Sequence, residues 1–119
     1  MLRGGNRGRG DWGETMACGF LTRRGFQIIE RNWQTPAGEI DIVAKLRGDY
    51  YFVEVKTRTE GEMAYDVAVT AEKKRRLRKT IASYCYRRAV AETGMVLATL
   101  MVVVNKTAST VRFRLAAIF

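Results

Sequence analysis

Two short segments, Gly38-Glu39-Ile40-Asp41 and Glu54-Val55-Lys56-Thr57-Arg58, decide the fold of this 119-residue chain, with twelve residues between them. The apolar runs Ile40–Leu46 and Tyr50–Val55 flank Arg47-Gly48-Asp49. Apolar runs on both sides of a short, glycine-containing segment are typical of a β-hairpin with a tight turn. The two segments are therefore predicted to lie on paired strands.

Charged side chains are predicted to gather on one patch of this hairpin. Side chains alternate between the two faces of a strand, so Glu39 and Asp41 share one face, as do Glu54 and Lys56. Their neighbours are mostly apolar, which predicts a sheet covered on both faces. Burying several charges requires compensation, and a divalent cation with bound water is the usual form of it.

Asp41 and Glu54 are the strongest candidate metal ligands, because hard Mg²⁺ or Mn²⁺ prefers carboxylate oxygens. Such an ion stabilises negative charge on a phosphate and activates water. A lysine beside carboxylates stays protonated, so we expect Lys56 to act electrostatically rather than as a general base. The alternative is an ordinary hairpin whose charges form surface ion pairs.

A wider set of motifs resembles the YraN-like family of PD-(D/E)xK endonuclease-like proteins. The matching segments are Gly13-Glu14, Gly25-Phe26, Glu30-Arg31-Asn32-Trp33, the two hairpin segments, and Val69-Thr70 with Lys73. The hairpin is also similar to that of archaeal Holliday-junction resolvases. The resemblance implies a restriction-endonuclease-like fold and a divalent-metal-dependent nuclease that hydrolyses phosphodiester bonds in DNA, selective for structure rather than for sequence. A homodimer is plausible by the same analogy alone.

Two further acids are candidate metal ligands. The resemblance implies that Glu14, in the first helix, completes the metal site and takes part in catalysis. The alternative for Glu14 is a solvent-facing acid that favours the N-terminus of its helix. Glu39 points the same way as Asp41, so it is a candidate for a second metal or for orienting the first. The alternative for Glu39 is a salt bridge with an arginine at the edge of the site.

The second predicted helix contains most of the positive charge, with eight basic residues and no acid between Lys73 and Arg88. Its helical wheel places Leu77 and Ile81 on a buried stripe and several arginines on the opposite side. The candidate nucleic-acid-binding residues are Arg58, Lys73, Lys74, Arg75 and Arg78. Lys73, which matches a family lysine, is the one most expected to reach a phosphate. The alternative is a solvated charged face without a ligand.

The composition predicts one compact domain that binds a polyanion. The net charge of +9 points to a polyanion, either nucleic acid or an acidic membrane surface, with solubility alone as the alternative. A hydrophobic share of 47% is typical of an ordinary globular domain. The resemblance implies nucleic acid, DNA first, as the partner. The chain has no histidine, which argues against zinc. Residues 1–10 are predicted to be a flexible basic tail and residues 11–119 a single endonuclease-like domain. Without an export signal or a long apolar run, the protein is expected to be cytoplasmic and away from membranes.

The pattern of elements predicts a mixed α/β fold, a five-stranded sheet flanked by helices in the order helix, three strands, helix, two strands. Asp11 is the predicted cap of a first helix that ends near Arg24 and buries Trp12. Thr70 is the predicted cap of a second helix that ends near Gly94. The predicted strands are Phe26–Arg31, Ile40–Leu46, Tyr50–Val55, Met95–Val104 and Val111–Ile118, and a loop covers 60–66.

Three functions fit these residues. The first is the metal-dependent nuclease. The second is a catalytically silent nucleic-acid-binding module of the same fold, and the third is a basic membrane-surface or ribosome-associated protein without an active site. The intact set of Asp41, Glu54 and Lys56 favours the first, because a protein without turnover would be free to lose one of them.

Overall fold

The computed structural model describes residues 7–61, 70–91 and 94–118. Its elements are α1 (Arg7–Arg23), β1 (Gln27–Thr35), β2 (Gly38–Leu46), β3 (Asp49–Thr59), α2 (Ala71–Arg88), β4 (Met95–Asn105) and β5 (Thr110–Ala117). The predicted fold class and the predicted order of the elements are confirmed. Residues 1–6 of the predicted tail and residues 62–66 of the predicted loop lie outside the described ranges.

The five strands form one mixed sheet in the order β1-β2-β3-β4-β5. Neighbouring strands are antiparallel except β3 and β4, which are parallel and are connected through α2. The predicted hairpin is β2–β3. Its turn residues Arg47 and Gly48 have φ angles of 52° and 89°, which is the left-handed geometry of a two-residue turn that matches strand twist. Asp49, predicted in the turn, is the first residue of β3.

Apolar side chains cover both faces of this sheet. On one face, Ala17 and Leu21 of α1 pack with Ile42 and Val53. On the other face, Ile81 of α2 packs in a second core cluster with the neighbouring strand residues Val43 and Phe52. Because consecutive strand residues point to opposite faces, the two clusters define three layers, with the sheet between α1 and α2.

Helix α2 is fixed at both ends. Its N-cap is Thr70, as predicted, with the hydroxyl accepting a hydrogen bond from the Lys73 amide at 3.1 Å. The helix ends at Arg88 rather than near Gly94, because Ala89 adopts a left-handed conformation with φ 55°. Arg88 then donates two hydrogen bonds to the carboxylate of Glu30 on β1, at 3.0 and 2.6 Å. This bidentate pair ties the end of α2 to the first strand.

Several element boundaries and one burial differ from the prediction. Helix α1 begins at Arg7, four residues before the predicted Asp11 cap, since glycines lower helix stability by about 1 kcal/mol each without ending a helix. Residues 7–10 therefore belong to a helix and not to a tail. Strand β1 continues to Thr35 rather than Arg31, because its pairing with β2 runs to Gly38. Trp12 is 41% exposed and does not join the core.

Candidate active site

The site forms where a row of polar residues crosses three strands. The β2–β3 register pairs Ile42 with Val53, so the next position brings Asp41 opposite Glu54. The β1–β2 register similarly brings Asn32 opposite Asp41. Directly opposite residues of antiparallel strands have Cβ atoms about 5 Å apart. The predicted meeting of Asp41 and Glu54 on the hairpin is therefore what the strand register produces.

Asp41 ends the backbone pairing of the hairpin. Its Oδ2 atom accepts a hydrogen bond from the Val55 amide at 2.8 Å. The backbone pairing between the two strands reaches only Ile42 and Val53, so the Asp41 side chain makes the next contact between them. This contact holds one carboxylate oxygen against β3 and leaves Oδ1 for another partner.

A small cavity of about 80 Å³ lies over these acids, between the sheet and α2. Glu39, Asp41 and Glu54 line its polar side, and Leu77 and Ile81 of α2 line its apolar side. A water occupies about 30 Å³ in the liquid, so the cavity is large enough for a small cation with some of its water. The apolar wall lowers the local dielectric and strengthens every charge interaction inside.

The Asp41 carboxyl is strongly perturbed. The pKa of Asp41 is raised to about 7, chiefly by burial and also by the charges of Glu14, Glu39 and Glu54, while the Val55 hydrogen bond partly opposes the shift. A buried carboxyl among like charges favours its neutral form unless a cation compensates. Clusters of this kind, in a cavity, are typical of functional sites.

Glu54 contacts two lysines through one oxygen. Its Oε2 atom lies 2.9 Å from the ammonium of Lys73 on α2 and 3.9 Å from that of Lys56 on β3. Its Oε1 atom is buried and accepts no hydrogen bond from any described residue. The structure thus brings together Asp41, Glu54, Lys56 and Lys73, and it leaves one buried Glu54 oxygen without a hydrogen bond from the described residues.

The other two predicted acids have partners of their own. Glu14 is buried on α1, 3.6 Å from the guanidinium of Arg31. Glu39 is exposed and accepts a hydrogen bond from the Gln34 amide at 3.1 Å. Within residues 7–61, 70–91 and 94–118, no three acidic, cysteine or histidine side chains are grouped closely enough to hold a metal. The metal-ligand roles of Glu14 and Glu39, and the catalytic role of Glu14, stay predictions.

The predicted basic residues divide into two groups. Lys73 lies at the acids, and half-buried Arg58 donates a hydrogen bond to the Thr57 carbonyl at 2.9 Å. Lys74 is half-buried on α2, whereas Arg75 and Arg78 are exposed on its outer face. Their predicted contacts with nucleic acid remain predictions.

Sequence reasoning assigned no role to Asn32. It has φ 56° within a strand, and its Oδ1 atom is buried without a hydrogen-bond partner in the described part of the chain. Strain and an unsatisfied buried oxygen in one residue each cost on the order of 1–3 kcal/mol, so a function is the usual explanation. The sequence does contain an indication of this conformation, namely an asparagine inside an otherwise extended segment. After glycine, asparagine is the residue that best tolerates a positive φ angle.

No helix within the described ranges is both long enough and apolar enough to cross a membrane. A solved structure with overall similarity is that of a fdxN element excision controlling factor protein from Anabaena variabilis. It has a TM-score of 0.42 and 14% identity, and the alignment covers 92% of this chain and 99% of the other.

Curated relatives share much higher identity. A UPF0102 protein of Trichlorobacter lovleyi is 40% identical over 77% of this chain and 74% of its own length. A UPF0102 protein of Helicobacter pylori is 41% identical over 71% of this chain and 72% of its own length. One of Roseiflexus castenholzii is 63% identical over 41% of this chain, a match that spans only 40% of that relative.

A family model matches residues 13–118, a range that includes most of α1, the whole of α2 and all five strands. This match confirms the resemblance to YraN-like proteins that the hairpin and its flanking motifs predicted. The chain belongs to the uncharacterised protein family UPF0102.

Proposed function

We propose that this protein is a divalent-metal-dependent nuclease that hydrolyses phosphodiester bonds in DNA and selects its substrate by structure rather than by sequence. The observation that supports this most is that Asp41 and Glu54 line one cavity, with two lysines on one oxygen of Glu54. Acidic oxygens beside fixed ammonium groups suit a reaction in which negative charge develops on a phosphate.

The residues present fit Mg²⁺ or Mn²⁺. Three oxygens in the polar row are candidate ligands, namely Oδ1 of Asp41, Oε1 of Glu54 and Oδ1 of Asn32, and the last two are buried without hydrogen-bond partners among the described residues. Magnesium needs only one or two carboxylates, accepts amide oxygens and keeps several waters. A group of three acids is therefore unnecessary. When bound, such an ion polarises a phosphate and makes bound water acidic.

The protein's own residues supply orientation and charge. The Val55 amide fixes the Asp41 carboxylate, and the apolar residues of α2 exclude bulk water from one side of the acids. Lys56 and Lys73 provide two positive charges within 4 Å of Glu54 that a phosphate can share. Exposed Arg75 and Arg78 lie on the outer face of α2, where they suit contacts with the backbone of nucleic acid, which position a duplex without specifying its sequence.

The catalytically silent binding module is the second candidate function. Its specific support is the 2.9 Å contact between Lys73 and Glu54, because this ammonium already compensates part of the acidic charge that would attract a dication. A silent module would keep the lysine pair and the basic helix while binding no metal at the acids.

The test is a nicking assay on branched, single-stranded and duplex DNA with Mg²⁺ or Mn²⁺. We expect wild-type protein to cut, and Asp41→Asn to cut at least 100-fold more slowly while still binding DNA. Asp49→Asn is the matched control, since Asp49 is an exposed acid at the first position of β3, five residues before Glu54. Equal cutting by wild type and Asp41→Asn would mean a contaminating nuclease. DNA binding by all three proteins without cutting would favour the silent module.

A further inference from the structure

A second cavity, of about 260 Å³, lies on the α1 side of the sheet. Trp12 of α1, Thr57 and Thr59 of β3, Val104 of β4 and Lys106 line it. None of these residues belongs to the polar row. Val55 packs in the α1-side core and precedes Thr57 and Thr59 by two and four positions, so alternation places both threonines on that face. Glu54 and Lys56, with the opposite parity, point to the α2 side.

The packing of a glycine holds Trp12 over this cavity. A Cβ atom on Gly13 would lie 2.1 Å from Oγ1 of Thr57, so only glycine allows α1 to approach β3 this closely. The neighbouring Trp12 is consequently held beside the strand end, and yet 41% of its surface stays exposed. A large, partly exposed aromatic ring on a backbone held against the sheet presents a flat apolar surface to a ligand.

The charge near the ring favours an anionic ligand. Lys106 is exposed and forms no ion pair within the described ranges. Glu60, the acid that follows β3, forms an ion pair with Arg112 at 2.5 Å. An aromatic face next to an uncompensated ammonium is the combination that binds single-stranded nucleic acid, through stacking of a base and attraction of its phosphate.

The size of the cavity limits the ligand further. Small-molecule sites usually measure about 300–1,000 Å³, so this cavity suits one ring system. The threonines that line it follow Glu54 by three and five residues, which is roughly 10–17 Å along the strand. Single-stranded nucleic acid of a few nucleotides can therefore reach from the acids, around the end of β3, to Trp12.

We propose that this cavity binds one unpaired nucleobase, stacked on Trp12, with the adjacent phosphate held by Lys106. The proposal rests on the nucleic-acid binding in the proposed function, but not on cleavage. It provides a physical basis for structure selectivity, because a base inside a duplex is already stacked and paired and is not available to the ring.

The experiment measures binding in EDTA, where metal-dependent cleavage cannot occur. Labelled single-stranded oligothymidine and a duplex of equal length are titrated with wild type, Trp12→Ala, Trp12→Phe and Lys106→Gln, with circular dichroism to verify folding. We expect Trp12→Ala to weaken single-strand binding about ten-fold and duplex binding less than two-fold, and Trp12→Phe to retain most of the affinity. Lys106→Gln should lower the slope of log K against log salt by about 0.7 for single strands.

A second readout does not depend on removing the ring. The chain has two tryptophans, and Trp33 is buried against Tyr84, so single-strand binding should quench the emission of exposed Trp12 in the wild type. The proposal would be overturned if Trp12→Ala bound single strands as tightly as wild type and single strands did not quench the wild-type emission. It would also be overturned if Trp12→Ala lost the same affinity for duplex and for single strand. These binding measurements use no metal and no cleavage, whereas the nuclease proposal is tested by the nicking assay, so failure of the nuclease proposal remains distinguishable from failure of this one.

Discussion

Asp41 shows how one buried carboxyl couples stability to pH. Its pKa is raised from 3.8 to about 7, chiefly by burial. The folded state therefore keeps a proton that the unfolded chain releases above pH 3.8. The contribution of this group to stability is complete below that pH, falls as the pH rises to about 7, and stays low above it.

Asp41→Asn tests this coupling, because asparagine has nearly the same shape and does not titrate. We expect the metal-free variant to gain stability relative to wild type between pH 4 and 7, by a few kcal/mol at most, since one pKa unit corresponds to about 1.4 kcal/mol. Urea unfolding of both proteins at pH 4.5 and pH 8 in EDTA measures the difference. A difference that is the same at the two pH values would contradict a raised pKa.

Asn32 is the second residue for which the folded environment suggests a role in metal binding. If its buried oxygen is a metal ligand, Asn32→Gly should lower the affinity for Mn²⁺ about ten-fold, as expected for lost support at a metal site. Glycine tolerates the φ angle of 56°, so the fold should be kept. Calorimetric titration with Mn²⁺ measures the affinity.

Asn32→Asp is the matched control for this prediction, because it keeps an oxygen at the same position. Its affinity for Mn²⁺ should equal or exceed that of wild type. If Asn32→Gly binds as tightly as wild type, Asn32 is not a ligand, and the unsatisfied oxygen requires another explanation.

At the scale of elements, the approach of α1 to β3 depends on Gly13. Alanine would improve helix propensity by up to about 1 kcal/mol, but its Cβ atom would lie 2.1 Å from the Thr57 hydroxyl. Overpacking typically costs about 1–3 kcal/mol, so we expect Gly13→Ala to destabilise the protein by roughly 1–2 kcal/mol. Thermal and urea unfolding measure the loss.

Gly19→Ala is the control within the same helix. The nearest atom to its added Cβ would be a guanidinium nitrogen of Arg23 at 3.3 Å, at the end of a side chain that can move. This variant should be neutral or slightly more stable. Thr57→Ala should restore most of the stability of Gly13→Ala, because it removes the clashing oxygen. A Gly13→Ala protein as stable as wild type would show that α1 can shift on the sheet.

For the whole molecule, the net charge of +9 sets the strength and the salt dependence of nucleic-acid binding. Each phosphate contact contributes about 0.9 to the slope of log K against log salt on duplex DNA. Replacing Arg75 and Arg78 with glutamine should therefore lower that slope by up to about 1.8. Fluorescence anisotropy measures this slope between about 50 and 200 mM salt, a range over which affinity changes several-fold.

Arg24→Gln is the control for this prediction, since Arg24 lies over the Phe20 ring, on the α1 side of the molecule. It should leave the duplex slope nearly unchanged. Equal slopes for wild type and the Arg75/Arg78 variant would mean that the outer face of α2 is only solvated, and that the charge of the chain acts at long range.

Most of the fold follows from local patterns. Alternation, turn residues and the Thr70 cap predict the element order, because each depends on residues a few positions apart. The same patterns predict that Asp41 and Glu54 are neighbours, since the hairpin turn at Arg47 and Gly48 sets the register. Helix ends are less well predicted, as the early start of α1 shows, because glycine lowers propensity without defining a boundary.

Short segments of the sequence are sufficient to predict the hairpin, its two acids and lysine, the basic helix and the family. How those groups are perturbed, and where other residues lie, depends on the folded structure. The pKa of Asp41 depends on Glu14 from α1 as well as on burial, and Lys73 reaches Glu54 from α2. The exposure of Trp12 and the buried oxygen of Asn32 likewise depend on how distant segments pack. Burial and electrostatic energies depend on every group within several ångströms, and local sequence does not specify those neighbours.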